Sequence, residues 1–258
     1  MTVRLDLTDA VATLTFDDPA RKNAMTVALG EALEARVAEL RDRDDVRAVV
    51  LAGAGGTFSA GGDLSMLEAL RRSSFEEARG HMLAFYARYL SVTTLRVPVI
   101  AALEGAAIGA GLCVAMACDL CVVDETAKLG FNFTQLGLHP GMGATYLVPR
   151  RAGAQRAAEL LYTGRRFTGR DALSLGLALE ALPATDVLPR AQALARTIAS
   201  SAPLAIRGLK QALGVDRAAL QRALEHEARE QAISYGSADL GAGLSAASAR
   251  RAPSFQGR

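Results

Sequence analysis

Three features of the 258-residue chain predict an α/β fold with a helical C-terminal region. Short, continuously apolar segments read as buried strands, segments of helical periodicity separate them, and strand signals thin out after about residue 152. Val3, Leu5 and Leu7, then Val11, Thr13 and Thr15, alternate around Thr8 and Asp9 and predict an opening β-hairpin, closed by Asp17, Asp18 and Pro19. From Thr26, a candidate N-cap, to Arg43, the residues Val27, Leu29, Leu33, Val37 and Leu40 recur at helical spacing. A buried strand follows over Val46 to Leu51. The cycle repeats with a glycine-rich loop at Gly53 to Gly62, a helix from about Leu64 to Leu95 and a strand at Val97 to Ala102, then a helix over Gly109 to Ala117 and a strand at Leu120 to Val123. Beyond Ala152, helices are predicted over residues 154–162, 168–175, 186–200, 203–213, 216–234 and 237–249, with one short strand near 177–182. These patterns divide the chain into an α/β core over 1–190 and a helical region over 191–258, with no linker rich in Pro, Gly or Ser between them.

Composition excludes several classes of function. Hydrophobic residues make up 50% and charged residues 22%, ordinary globular values, and the net charge is only +2 without a block of like charge, so a nucleic-acid partner is not expected. No apolar run reaches the length of a membrane span, because even Val97 to Val123 is interrupted by Glu104, glycines and Asp119. Cys113, Cys118 and Cys121 are an odd set without a secretory leader, which predicts free thiols and a cytoplasmic location. The C-x-x-C of Cys118 and Cys121 lacks the two further ligands of a zinc site, so no metal is expected.

Two glycine-rich loops follow buried strands, one over Gly53 to Leu64 and one over Glu104 to Gly111. Strand ends beside helix N-termini are places where backbone N–H groups face a ligand. Neither loop has the spacing of a dinucleotide or P-loop site, and Thr57 breaks the pattern that would make Ser59 a hydrolase nucleophile. Together, however, Phe58-Ser59-Ala60-Gly61-Gly62-Asp63-Leu64, Pro98 to Ala102, Gly105 to Gly111 and Ala117-Cys118-Asp119 resemble the enoyl-CoA hydratase/isomerase, or crotonase, superfamily. Arg21-Lys22-Asn23-Ala24, Leu136 to Gly141, Leu161 to Phe167 and the terminal Arg250 to Arg258 extend the resemblance over nearly the whole chain.

The resemblance implies a crotonase-like spiral of ββα units whose C-terminal helices build a homotrimer or hexamer. It implies an acyl-CoA thioester as ligand, with CoA entering as part of the substrate and no separate cofactor. The shared chemistry is stabilisation of a thioester enolate by two backbone N–H groups, which fall on Gly62 and Ala110. Asp63 then braces the loop. The wider ligand site would include Lys22, Ala24, Ala60, Leu64, Gly109, Phe131, Leu138, Gly141 and Phe255, with the adenine end near Lys22, Ala24 and Ala60.

The same resemblance exposes a departure. The two positions at which hydratases of the family carry glutamate are here Cys113 and Phe133. A phenyl ring transfers no proton, and a thiol with an ordinary pKa of about 8.5 is a poor substitute. His139, six residues after Phe133, is the candidate replacement acid or base. Two readings remain: an enzyme of hydratase/isomerase type with an unusual acid–base group, or an acyl-CoA-binding or delivery protein of the same fold without turnover.

Overall fold

The computed structural model describes residues 2–249 and 251–258. The chain opens with the expected hairpin, β1 (Thr2–Thr8) against β2 (Val11–Asp17), followed by α1 (Val27–Arg41) and β3 (Ala48–Gly53). Thr26 caps α1 by accepting the Leu29 N–H at 3.2 Å. The single helix expected from Leu64 to Leu95 is instead α2 (Leu64–Leu70), α3 (Phe75–Tyr89) and a 3₁₀ turn over Leu90–Thr94. Ser74 breaks the run: its hydroxyl accepts the Glu77 N–H while the Glu77 carboxylate accepts the Ser74 N–H, a capping box that starts a new helix.

Next come β4 (Val99–Leu103), β5 (Ala106–Ile108), α4 (Ala110–Ala117), β6 (Leu120–Asp124), β7 (Lys128–Gly130) and α5 (Ala144–Ala152). Two strands and a helix thus follow one another twice, the first strand of each pair lying in a large sheet and the second in a small one. That is the expected spiral of ββα units. The small strands, too short to show a period, were hidden in what the sequence presents as loop. The chain continues through α6 (Ala154–Thr163), β8 (Arg166–Phe167), α7 (Gly169–Ser174) and β9 (Glu180–Leu182). The helical end comprises α8 (Ala184–Ala199), α9 (Pro203–Leu213), α10 (Arg217–Tyr235) and α11 (Ala238–Ser248).

The large sheet has the order β1-β2-β3-β4-β6-β9 and is parallel except for β1, and the small one has the order β5-β7-β8. Alternate residues of the large sheet face two cores. Val49 and Leu51 join the main core with α1, α3 and α4, whereas Ala48, Val50, Ala52, Ile100 and Val122 face α8. Val187, Ala191, Ala195 and Ala199, four residues apart, form the stripe of α8 that covers this second face. The boundary expected between residues 190 and 191 therefore cuts a helix that belongs to the sheet. Among the described residues, no helix is long and apolar enough to cross a membrane.

The helical end divides into two parts. On α10, Leu220, Leu224, Ala228 and Tyr235 are buried and pack into the main core. Helix α9 buries none of its residues, and Leu204 and Leu213 are 82% and 76% exposed.

Candidate functional site

The loop before α2 is zipped into both of its neighbours. On one side Met25 N–H donates to Gly61 O at 2.8 Å and Asp63 N–H to Met25 O at 3.2 Å, and on the other Ser59 N–H donates to Ala106 O and Ile108 N–H to Ser59 O. In a parallel ladder, successive residues bond to opposite neighbours. Gly62 therefore presents its own N–H on the side away from Met25, and no hydrogen bond among the described residues uses it. Gly61 is what lets the two loops approach, because its φ is +89° and a Cβ there would lie 2.5 Å from Ile108 O. Ala110 opens α4, a helix buried along its whole length; as a first-turn residue it has no intrahelical acceptor for its N–H, which also lies at the positive end of the helix dipole.

Gly62 and Ala110 border the same cavity of about 520 Å³. Ala24, Ala60, Asp63, Leu64, Gly109, Phe133, Leu138 and Gly141 line it with them. Others of the expected site residues lie elsewhere. Phe131 is buried against Phe167, with ring centroids 6.1 Å apart, and Cys113 is buried in α4 behind the wall. Lys22 is exposed beside the loop, where its carbonyl accepts the Ala60 N–H at 2.9 Å. His139 and Phe255 border a second depression, separate from the cavity. The His139 ring is held by its own neighbour, Nδ1 lying 2.6 Å from Pro140 O; burial is the main cause that keeps its pKa below the ordinary histidine value, with nearby His226 adding to it. His139 thus does not line the cavity, although Leu138 and Gly141 of the same loop do.

Asp63 is the only carboxylate bordering the cavity among the described residues. Partial burial pushes its pKa up, but hydrogen bonds from Ser65 and Met66 N–H and the charge and hydrogen bond of Arg21 outweigh this and hold it below the usual carboxylate range. It caps α2 and is committed as an anion. The far wall is built by helices whose role the sequence did not reveal: Met82, Phe85 and Tyr86 from α3, and Gln231 and Tyr235 from α10. Tyr86 donates its hydroxyl to Gln231 Oε1 at 2.8 Å, Gln231 Nε2 donates to His139 O at 2.8 Å, and Tyr235 directs its hydroxyl at Met82 Sδ, 3.3 Å away. Burial raises the pKa of both phenols, so they stay protonated.

Behind this wall, fully buried Glu227 accepts hydrogen bonds from Gly143 N–H (2.7 Å), Thr145 N–H (2.8 Å) and the Thr145 hydroxyl (2.6 Å). It thereby ties α10 to the bend that carries Gly141 and Met142 into the cavity lining. Burial pushes its pKa up to about 7 against the opposing effect of those three bonds. The only sequence signal for this residue was a glutamate at a core-facing position of α10.

Comparison with known proteins accords with this arrangement. The chain matches the family described as enoyl-CoA hydratase/isomerase over residues 6–258. It is 36% identical over 255 residues to a probable enoyl-CoA hydratase of Mycobacterium tuberculosis, EchA14, covering 96% of this chain and 98% of that one. Among solved structures, it resembles an enoyl-CoA hydratase/isomerase from Pseudoalteromonas atlantica, with a TM-score of 0.86, 27% identity and coverage of 99% and 100% of the two chains. It also resembles an enoyl-CoA hydratase from Bacillus anthracis at a TM-score of 0.77, with 32% identity over the whole of both chains. A match of this length, joined to the same spiral and the same paired loops, makes the chain a member of the enoyl-CoA hydratase/isomerase family.

Proposed function

We propose that the chain binds acyl-CoA thioesters with the thioester oxygen between the N–H groups of Gly62 and Ala110, which stabilise charge as the thioester moves toward an enolate. The observation that carries this reading is the pair of unengaged amides, presented by two interlocked loops at one largely apolar cavity. Each such donor is worth about 10² to 10³ in rate when it faces the developing oxyanion. The adenine end lies toward Lys22, Ala24 and Ala60, next to the open rim of that loop. Water addition by two carboxylates is not built here, because Phe133 presents a ring and Cys113 a buried thiol whose pKa burial raises well above the ordinary value.

One observation favours a second reading, acyl-CoA binding without turnover: Asp63, the single carboxylate at the cavity among the described residues, is occupied by Arg21 and Ser65 and offers no free base. Titrating the protein with butyryl-CoA while following product mass for a panel of enoyl-CoA thioesters separates the two. Binding with a new product supports the enzyme, binding with none supports the carrier, and absence of binding overturns both. Gly62→Pro, which deletes one donor, is expected to weaken binding about tenfold or more.

The exposed apolar face of α9, with Leu204, Leu209 and Leu213, is best explained by assembly of copies of this chain into a trimer or hexamer. Light scattering at micromolar concentration tests this, and a monomer there would overturn it.

A further inference from the structure

Among the described residues two cations border the cavity, and their circumstances differ. Arg21 is paired with Asp63. Arg166, on the short strand β8, makes no ion pair and no side-chain hydrogen bond among the described residues, although its neighbour Arg165 is paired with Glu159. Its surroundings are apolar enough to lower its pKa through desolvation alone, with no charged group contributing. Arg166 is also exposed, so a guanidinium at the cavity border without a counter-ion of its own is free to pair with an anionic group of a ligand.

The small sheet sets where that charge lies. Arg166 pairs with Gly130, and Gly130 pairs with Ile108, one residue before the Gly109–Ala110 turn. Two strand spacings, roughly 10 Å, separate the backbone of Arg166 from that of Ile108. The arginine side chain closes part of this gap: its Cδ lies 3.0 Å from the place a Cβ would occupy on Gly130, so the absence of a side chain at 130 gives Arg166 its course across β7. Asn132 and Phe133 also border the cavity, their side chains 3.3 and 3.8 Å from where a Cβ of Gly109 would stand. Arg166 and the amides of Gly62 and Ala110 thus border one cavity from different strands.

We propose that Arg166 selects acyl-CoA thioesters whose acyl chain ends in a carboxylate, short diacid thioesters, by pairing with that second carboxylate at the cavity wall. This rests on the acyl-CoA reading above and narrows it to a substrate class. Guanidinium matches a carboxylate in both charge and geometry, and a neutral acyl end leaves the cation unpaired.

The test compares succinyl-CoA, butyryl-CoA and free CoA by calorimetric titration against the native protein, Arg166→Gln and Arg166→Lys. The native protein is expected to bind succinyl-CoA about tenfold or more tightly than butyryl-CoA, as a charge-assisted hydrogen bond implies. In Arg166→Gln the affinity for succinyl-CoA should fall about tenfold further than that for butyryl-CoA, and Arg166→Lys should recover part of the preference. Equal losses for all three ligands would assign Arg166 to the CoA phosphates and overturn the proposal, as would a native protein that does not distinguish the two thioesters. If butyryl-CoA binds and succinyl-CoA does not, the diacid inference fails while the acyl-CoA reading stands; if no thioester binds, both fall.

Discussion

The two walls of the cavity are made of different material. One is backbone: the amides of Gly62 and Ala110, placed by loops that hydrogen-bond to each other and to the segment around Met25. The other is side chain: Phe133, Tyr86, Gln231 and Tyr235, brought together from the loop after β7 and from α3 and α10. A backbone donor survives replacement of its own side chain, which is why alanine at 110 leaves the amide in place. A carboxylate does not survive replacement by phenylalanine. On the proposed reading, the activation of the thioester is kept while the proton chemistry opposite differs.

The sharpest break of the backbone wall is Gly61→Val. A β-branched residue at positive φ, driven against Ile108 O, is expected to part the loops, abolish measurable butyryl-CoA binding and cost roughly 2–4 kcal/mol of stability in denaturant unfolding. Unchanged binding would mean that the paired loops do not hold the ligand. For the side-chain wall, the native protein should hydrate crotonyl-CoA about a hundredfold more slowly than family members with both glutamates. Cys113→Glu with Phe133→Glu should raise that rate if the amide wall is intact, and ordinary turnover by the native chain would overturn this reading of the two positions.

The smallest effect concerns the support behind the side-chain wall. Glu227 has a folded pKa of about 7 against an ordinary value of 4.5, so the folded state holds a proton that the unfolded state has lost in this interval. Its contribution to stability is then present below about 4.5 and declines as pH rises to about 7. Glu227→Gln should flatten that part of a plot of melting temperature against pH. A slope that persists in the variant would have to come from another group.

The backbone wall was legible in the sequence because tight contacts demand particular residues: nothing but glycine fits at 61, and the demand shows as a motif. The strands and helices of the large sheet were legible for a similar reason, since burial on two faces leaves continuous apolar runs such as Val49 to Leu51. The far wall was not. Tyr86 and Gln231 are 145 residues apart and meet only because α10 crosses α3, and helical periodicity says that such residues are buried without saying beside what. His139 shows the opposite limit. Its loop borders the cavity through Leu138 and Gly141, but the direction of its own side chain goes with the hydrogen bond to Pro140, which no spacing encodes.

The three cysteines, all on α4 or just beyond it, are buried and free. Burial pushes Cys118 and Cys121 up to about 12 and raises Cys113 well above its ordinary value, so the reactive thiolate is scarce while the fold is closed. A thiol-directed dye added to the native protein therefore reports the opening of the helix that carries Ala110. The chain holds its own clock for the opening of this part of the cavity, and ligands that lodge there should slow it.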